Sequence, residues 1–170
     1  MPKVKPFDIG CEPSPSVPAE TLIQDGWRTF LLFFAVSKSG DENGRLKDLR
    51  VAVLECEGCV STNFGYPNDE GLPEHPYYIQ GLSDVTTDVV EVVDSPWRAE
   101  VEGQMDDSAK RIWGGRGVAV PTSEVAQLSH FIVTLKEATF ECIAKNLRVV
   151  KFAEDFEEAF AYVRAKLAEH

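Results

Sequence analysis

The sequence predicts an α+β fold, a mainly antiparallel sheet with two helices packed on one face. Three observations predict it. Short runs of β-branched and aromatic residues recur between residues 27 and 152, separated by turn signals. Two segments carry apolar residues at helical spacing, one after Ser95-Pro96 and one after Asp155. The chain order is strands, helix, strands, helix, unlike the strict alternation of a parallel sheet. The 170 residues divide into an extended proline-rich arm, 1–18, and a single globular domain, 19–170.

The arm holds Pro2, Pro6, Pro13, Pro15 and Pro18. A fixed φ and a missing donor keep such a segment extended, as an arm or a strap. Residues 19–25 read as one helical turn, closed by Gly26. In residues 27–38 the apolar residues run without alternation, which predicts a strand buried on both faces. Residues 39–46 form a hairpin loop around Asn43-Gly44, a dipeptide that tolerates positive φ. Residues 49–55 return as a second strand, and residues 59–64 form a third after a turn at Gly58, so the first half begins as a meander.

Residues 65–81 hold three prolines and three glycines, which argues against regular structure. Tyr66, Leu72, Tyr77, Tyr78 and Ile79 make the same segment too apolar for a free linker, so a packed, functional loop is expected. A short strand follows at 89–93. Asp94-Ser95-Pro96 starts a helix with a capping side chain and then proline. Trp97, Val101 and Met105 share one face of it, and it ends at Asp106-Asp107-Ser108, ahead of a loop-rich stretch over 106–124. Strands at 130–135 and 139–144 flank a turn at Lys136-Glu137-Ala138, and 147–152 extends the sheet. Asp155 and Glu158 form a capping box for the last helix. Its stripe is Phe152, Phe156, Phe160, Val163 and Leu167, with Phe156 and Phe160 expected against the sheet.

A composition of 44% hydrophobic and 26% charged residues suffices for a core and excludes a disordered chain. Twenty-eight Asp and Glu against 17 Lys and Arg give a net charge of −11, which argues against a nucleic-acid partner. The longest apolar run, residues 30–36, is too short for a helix across a bilayer, which needs about 20 residues. No apolar stretch follows Lys3 and Lys5 as in a secretory signal. A cytoplasmic protein without membrane contact is expected, and Cys11, Cys56, Cys59 and Cys142 read as reduced thiols.

Gly65-Tyr66-Pro67-Asn68-Asp69-Glu70, followed by His75-Pro76, resembles a block shared by a group of uncharacterised bacterial proteins. His130-Phe131-Ile132-Val133-Thr134 with Thr139-Phe140-Glu141-Cys142-Ile143-Ala144 resembles the second block of that group, and Asp94-Ser95-Pro96-Trp97 a weaker third. The blocks fall within residues 56–144. The resemblance implies no activity and no site residue. It agrees with a single domain and points to the 65–81 loop.

Asp69, Glu70, Glu74 and His75 stand beside Tyr77 and Tyr78 in that loop. His75 suits a general base or a metal ligand oriented by Glu74 or Asp69; the plainer reading is a cap that ties the loop to the core. Cys56-Glu57-Gly58-Cys59 lacks the second ligand pair of a zinc site and the following helix of a redox site, which leaves core or turn cysteines. Trp113-Gly114-Gly115-Arg116-Gly117 offers Arg116 to an anion but lacks a Walker lysine, so a flexible loop is the plainer reading. His130 lies on the strand face opposite Phe131, and Glu141 comes from the partner strand. They form either a base with its orienter or an ordinary cross-strand pair. No metal and no cofactor are expected.

Two functions follow. The first is a non-enzymatic binding or regulatory protein, immunity- or inhibitor-like, for a basic protein partner. The second is a small-molecule-binding domain or enzyme with its site at the 65–81 loop near His75 and His130. The candidate site residues are Asp69, Glu70, His75, Tyr77, Trp97, Arg116 and His130.

Overall fold

The β-branched and aromatic runs form strands, in chain order, at Lys3–Pro6 (β1), Glu12–Pro13 (β2), Thr21–Gln24 (β3), Thr29–Val36 (β4), Asp48–Glu57 (β5), Ser61–Gly65 (β6), Val89–Val93 (β7), Ser129–Thr134 (β8), Thr139–Ala144 (β9) and Asn146–Ala153 (β10). The helices are Pro96–Trp113 (α1) and Phe156–Leu167 (α2). The structure is a computed structural model and describes residues 1–38, 40, 42–45, 47–84, 88–114 and 128–169.

The strands make two antiparallel sheets. One is ordered β1-β7-β8-β9-β6; the other is β10-β5-β4-β2, with β3 also paired to β4. The crossing between sheets lies at the Cys56–Cys59 bend. Gly58 turns there at φ +59, a conformation glycine adopts without steric cost. The chain then leaves β5, and Val60 N–H donates to Ile143 O at 2.9 Å as β6 pairs with β9. The third strand therefore joins a second sheet, which the meander pattern did not foretell.

Leu31, Phe33, Ala52 and Leu54 from one sheet meet Phe131, Val133, Phe140 and Cys142 from the other to form the central core. The opposite face of β4 and β5 presents Phe30, Leu32, Val51 and Val53 to Ala159 and Val163 of α2. That accounts for the lack of alternation in β4, which is covered on both faces. The two helices meet different sheets: α2 packs on β4, β5 and β10, whereas α1 touches β8.

Several segments differ from their sequence reading. Residues 1–18 are extended, but they are stitched into both sheets. β1 pairs with β7 and β2 with β4. Cys11 is fully buried, and the Phe7 ring lies 4.8 Å from that of Phe131. The expected helical turn at 19–25 is β3, because Thr21, Leu22 and Ile23 favour a strand and Asp25 closes a hairpin. Its Oδ1 accepts the N–H groups of Trp27 and Arg28, both at 2.7 Å.

The loop after β6 contains three 3-10 turns, at Leu72–Glu74, Tyr78–Gln80 and Leu82–Asp84. Its Leu72 and Leu82 cover Val90, Val92 and Ile132 on the outer face of the first sheet. Helix α1 continues past Asp106-Asp107-Ser108 to Trp113, since polar residues on an exposed face do not end a helix. In α2 the buried side chains are Ala159 and Val163. Phe160 is 42% exposed, so the buried stripe is turned away from the expected phenylalanine. Among the described residues no helix is long and apolar enough to cross a membrane.

Candidate functional site

Four local structures bring a polar cluster together on the outer face of the first sheet. In β8 the alternation that sends Phe131 and Val133 into the central core sends His130 outward. Glu141 lies on the neighbouring strand, opposite Ile132 and diagonal to His130. The 3-10 loop delivers His75, Pro76 and Tyr77. Ser95 and Trp97 come from the start of α1, where Pro96 follows the N-cap and Ser95 Oγ accepts the Arg98 N–H at 3.0 Å.

His130 is 1% exposed, and both of its ring nitrogens are engaged. Nε2 lies 3.0 Å from Glu141 Oε2, and Nδ1 lies 2.8 Å from Ser95 Oγ. A carboxylate only accepts, so Nε2 donates; in the neutral ring Nδ1 then accepts the Ser95 hydroxyl proton. The rings of Trp97 and Tyr77 meet His130 edge-on, with centroids 5.0 and 5.6 Å away. His75 is buried too. Its Nδ1 accepts the Tyr77 N–H at 3.2 Å, which places its ring proton on Nε2. That atom approaches Glu141 Oε1 to 3.5 Å, but without the alignment of a hydrogen bond, and it has no other partner.

Glu141 is therefore faced by two imidazoles. Burial raises its pKa, but the hydrogen bond from His130 and the electrostatic attraction of both histidines outweigh burial and take the carboxyl down from 4.5 to about 2. Burial also raises the Tyr77 phenol; its hydrogen bond with Ser95 opposes this, and the Glu141 charge adds to it. The cluster borders a cavity of about 210 Å³ lined by Asn63, Pro76, Tyr77, Trp97, His130 and Glu141. A wider opening of about 450 Å³ lies along α1, between Val101, Met105 and Ile112 and the start of β6.

Four of the sequence candidates thus meet: His75, Tyr77, Trp97 and His130. Asp69 does not join them. It pairs with Lys136 Nζ at 2.6 Å and, with Thr139 Oγ1 donating to Pro67 O at 2.7 Å, straps the loop to the β8–β9 turn. Glu70 is exposed on the same strap. Arg116 lies outside the described residues. Sequence reasoning saw Ser95 only as a helix cap and gave Asn63 no role. Cross-strand alternation was the signal for Glu141, and nothing local marks Asn63.

Away from this cluster, Cys11, Cys56 and Cys142 are buried free thiols, and Cys59 is half-buried. Among the described residues no group of three or more His, Cys, Asp or Glu is arranged to hold a metal ion. The chain matches no protein-family model, no curated protein and no solved structure. Its chemistry is therefore read from the site alone.

Ser95, His130 and Glu141 stand in the order of a hydrolase triad. Yet Ser95 is 2% exposed, and its oxygen already caps α1. It does not line the cavity, so a substrate in the cavity would not meet a free nucleophile. Glu141, with a pKa of about 2, is a weak base. The arrangement holds a charge in place better than it moves a proton.

Proposed function

We propose that this protein is a non-enzymatic binding protein whose Glu141 pocket receives a cationic group from a basic protein partner. The observation that carries this reading is Glu141 itself. Among the described residues it is the one acidic group lining the cavity, kept ionised by its histidines and set beside Trp97 and Tyr77. A fixed carboxylate beside aromatic rings attracts a cation by charge and by ring quadrupole. The net charge of −11 would steer a basic partner toward such a pocket. An immunity- or inhibitor-like role in the cytoplasm, where the four thiols stay reduced, agrees with this chemistry.

A second reading is a small-molecule site, which the cavity volume allows. About 210 Å³ lies below the ~300 Å³ at which drug-sized pockets begin, but it admits a small organic cation as readily as a side-chain tip.

Backbone-resolved NMR titration of the intact chain tests both readings. n-Butylammonium should perturb Trp97, Tyr77 and His130, and butyrate should not. A lysine- and arginine-rich peptide should bind more tightly than the free cation, with an association rate that falls as salt rises. Equal affinity for peptide and free cation would favour the small-molecule reading. Butyrate binding, or no response to any cation, would overturn the cation site.

A further inference from the structure

We propose that the group received by this pocket is a guanidinium, the tip of an arginine side chain; this rests on the cation-site reading above. The first argument is a count of acceptor positions. A carboxylate offers about four, two on each oxygen. His130 Nε2–H occupies one on Oε2 at 3.0 Å. Asn63 Nδ2 occupies one on Oε1 at 3.4 Å. His75 Nε2 faces Oε1 at 3.5 Å without forming a hydrogen bond, so it steadies the charge and leaves the lone pair free. One acceptor position remains on each oxygen. Two parallel acceptors match the two-pronged N–H donor of guanidinium, whereas an ammonium engages carboxylates as a point charge.

The walls give the second argument. Trp97, Tyr77 and Pro76 present flat, mostly apolar surfaces around the carboxylate. A planar cation stacks on such surfaces, and guanidinium sheds water more readily than ammonium does. The three N–H bonds of an ammonium point in tetrahedral directions, and two of them would face walls poor in acceptors. The restricted volume, about 210 Å³, suits a group of the size of one guanidinium.

The test compares N-acetyl-arginine methylamide with N-acetyl-lysine methylamide, each titrated into the full chain and followed at the Trp97 indole and the His130 ring. The arginine compound should bind at least ~10-fold more tightly, since a bidentate fork and stacking add to charge. Glu141→Gln should abolish binding of both. Trp97→Leu keeps the carboxylate and should weaken the arginine compound several-fold, and more than it weakens the lysine compound, which loses the ring quadrupole but no planar stacking. This variant carries the test if Glu141→Gln does not fold. Equal binding of the two, or tighter binding of lysine, would overturn the guanidinium inference and leave the cation site standing. Binding of neither would overturn both.

Discussion

Glu141 and Cys59 show how neighbours set the chemistry of single residues. The Glu141 carboxyl is lowered from 4.5 to about 2 against the opposing effect of burial. A lowered folded-state value means that the unfolded chain takes up protons first as pH falls. The carboxylate's stabilisation is then complete above about pH 4.5 and disappears as pH drops through 2. The displacement corresponds to about 3 kcal/mol, and the side chain is only 15% exposed, so solvent screens it little. Urea unfolding across this window should show wild type losing about 3 kcal/mol relative to Glu141→Gln. Parallel curves would mean that the histidines do not hold the charge. Among the thiols, the Cys142 hydrogen bond lowers Cys59 despite burial, aided by Thr29 and the Ser61 backbone. Burial pushes Cys11 up to about 12, and burial with two thiol neighbours raises Cys142 strongly. Iodoacetamide should therefore label Cys59 first in the native protein, as peptide mass mapping would reveal. Faster labelling of Cys11 would contradict the burial described here.

At the scale of elements, burial separates side chains that look alike in the sequence. Phe33 on β4 is 1% exposed between the sheets, whereas Phe160 on α2 is 42% exposed. Phe33→Ala should cost about 3–5 kcal/mol, and Phe160→Ala less than half as much, judged by denaturation midpoints. Similar losses would show that α2 covers more of its sheet than its contacts indicate. The capping signals were legible because they act within one turn. Asp155 Oδ1 accepts the Glu158 N–H at 2.9 Å, and Glu158 Oε2 accepts the Glu154 N–H at 2.7 Å. The length of α1 was not legible. Asp106 and Asp107 read equally well as a terminus or as a solvated face, and only the continuing backbone decides between them.

For the molecule as a whole, the N-terminal segment is a structural part of both sheets. Deleting residues 1–18 would uncover the core around Cys11 and Phe7. We expect such a chain to lose about 4 kcal/mol or more, seen as an early or broadened thermal transition. An unchanged transition would make the segment dispensable. Most strand positions, both helix starts and the cap residues were legible in the order of amino acids. These follow from alternation, β-branching and hydrogen bonds within a few residues. That order also placed His75, Tyr77, Trp97 and His130 among the candidates, because polar and aromatic groups stood out in a packed loop and on an outward strand face. The tertiary structure alone decided that there are two sheets, that Asp69 straps the loop and that Ser95 holds His130. It also turned Glu141 into the charge of the cavity. Each of these depends on contacts between segments tens of residues apart, which local periodicity does not encode.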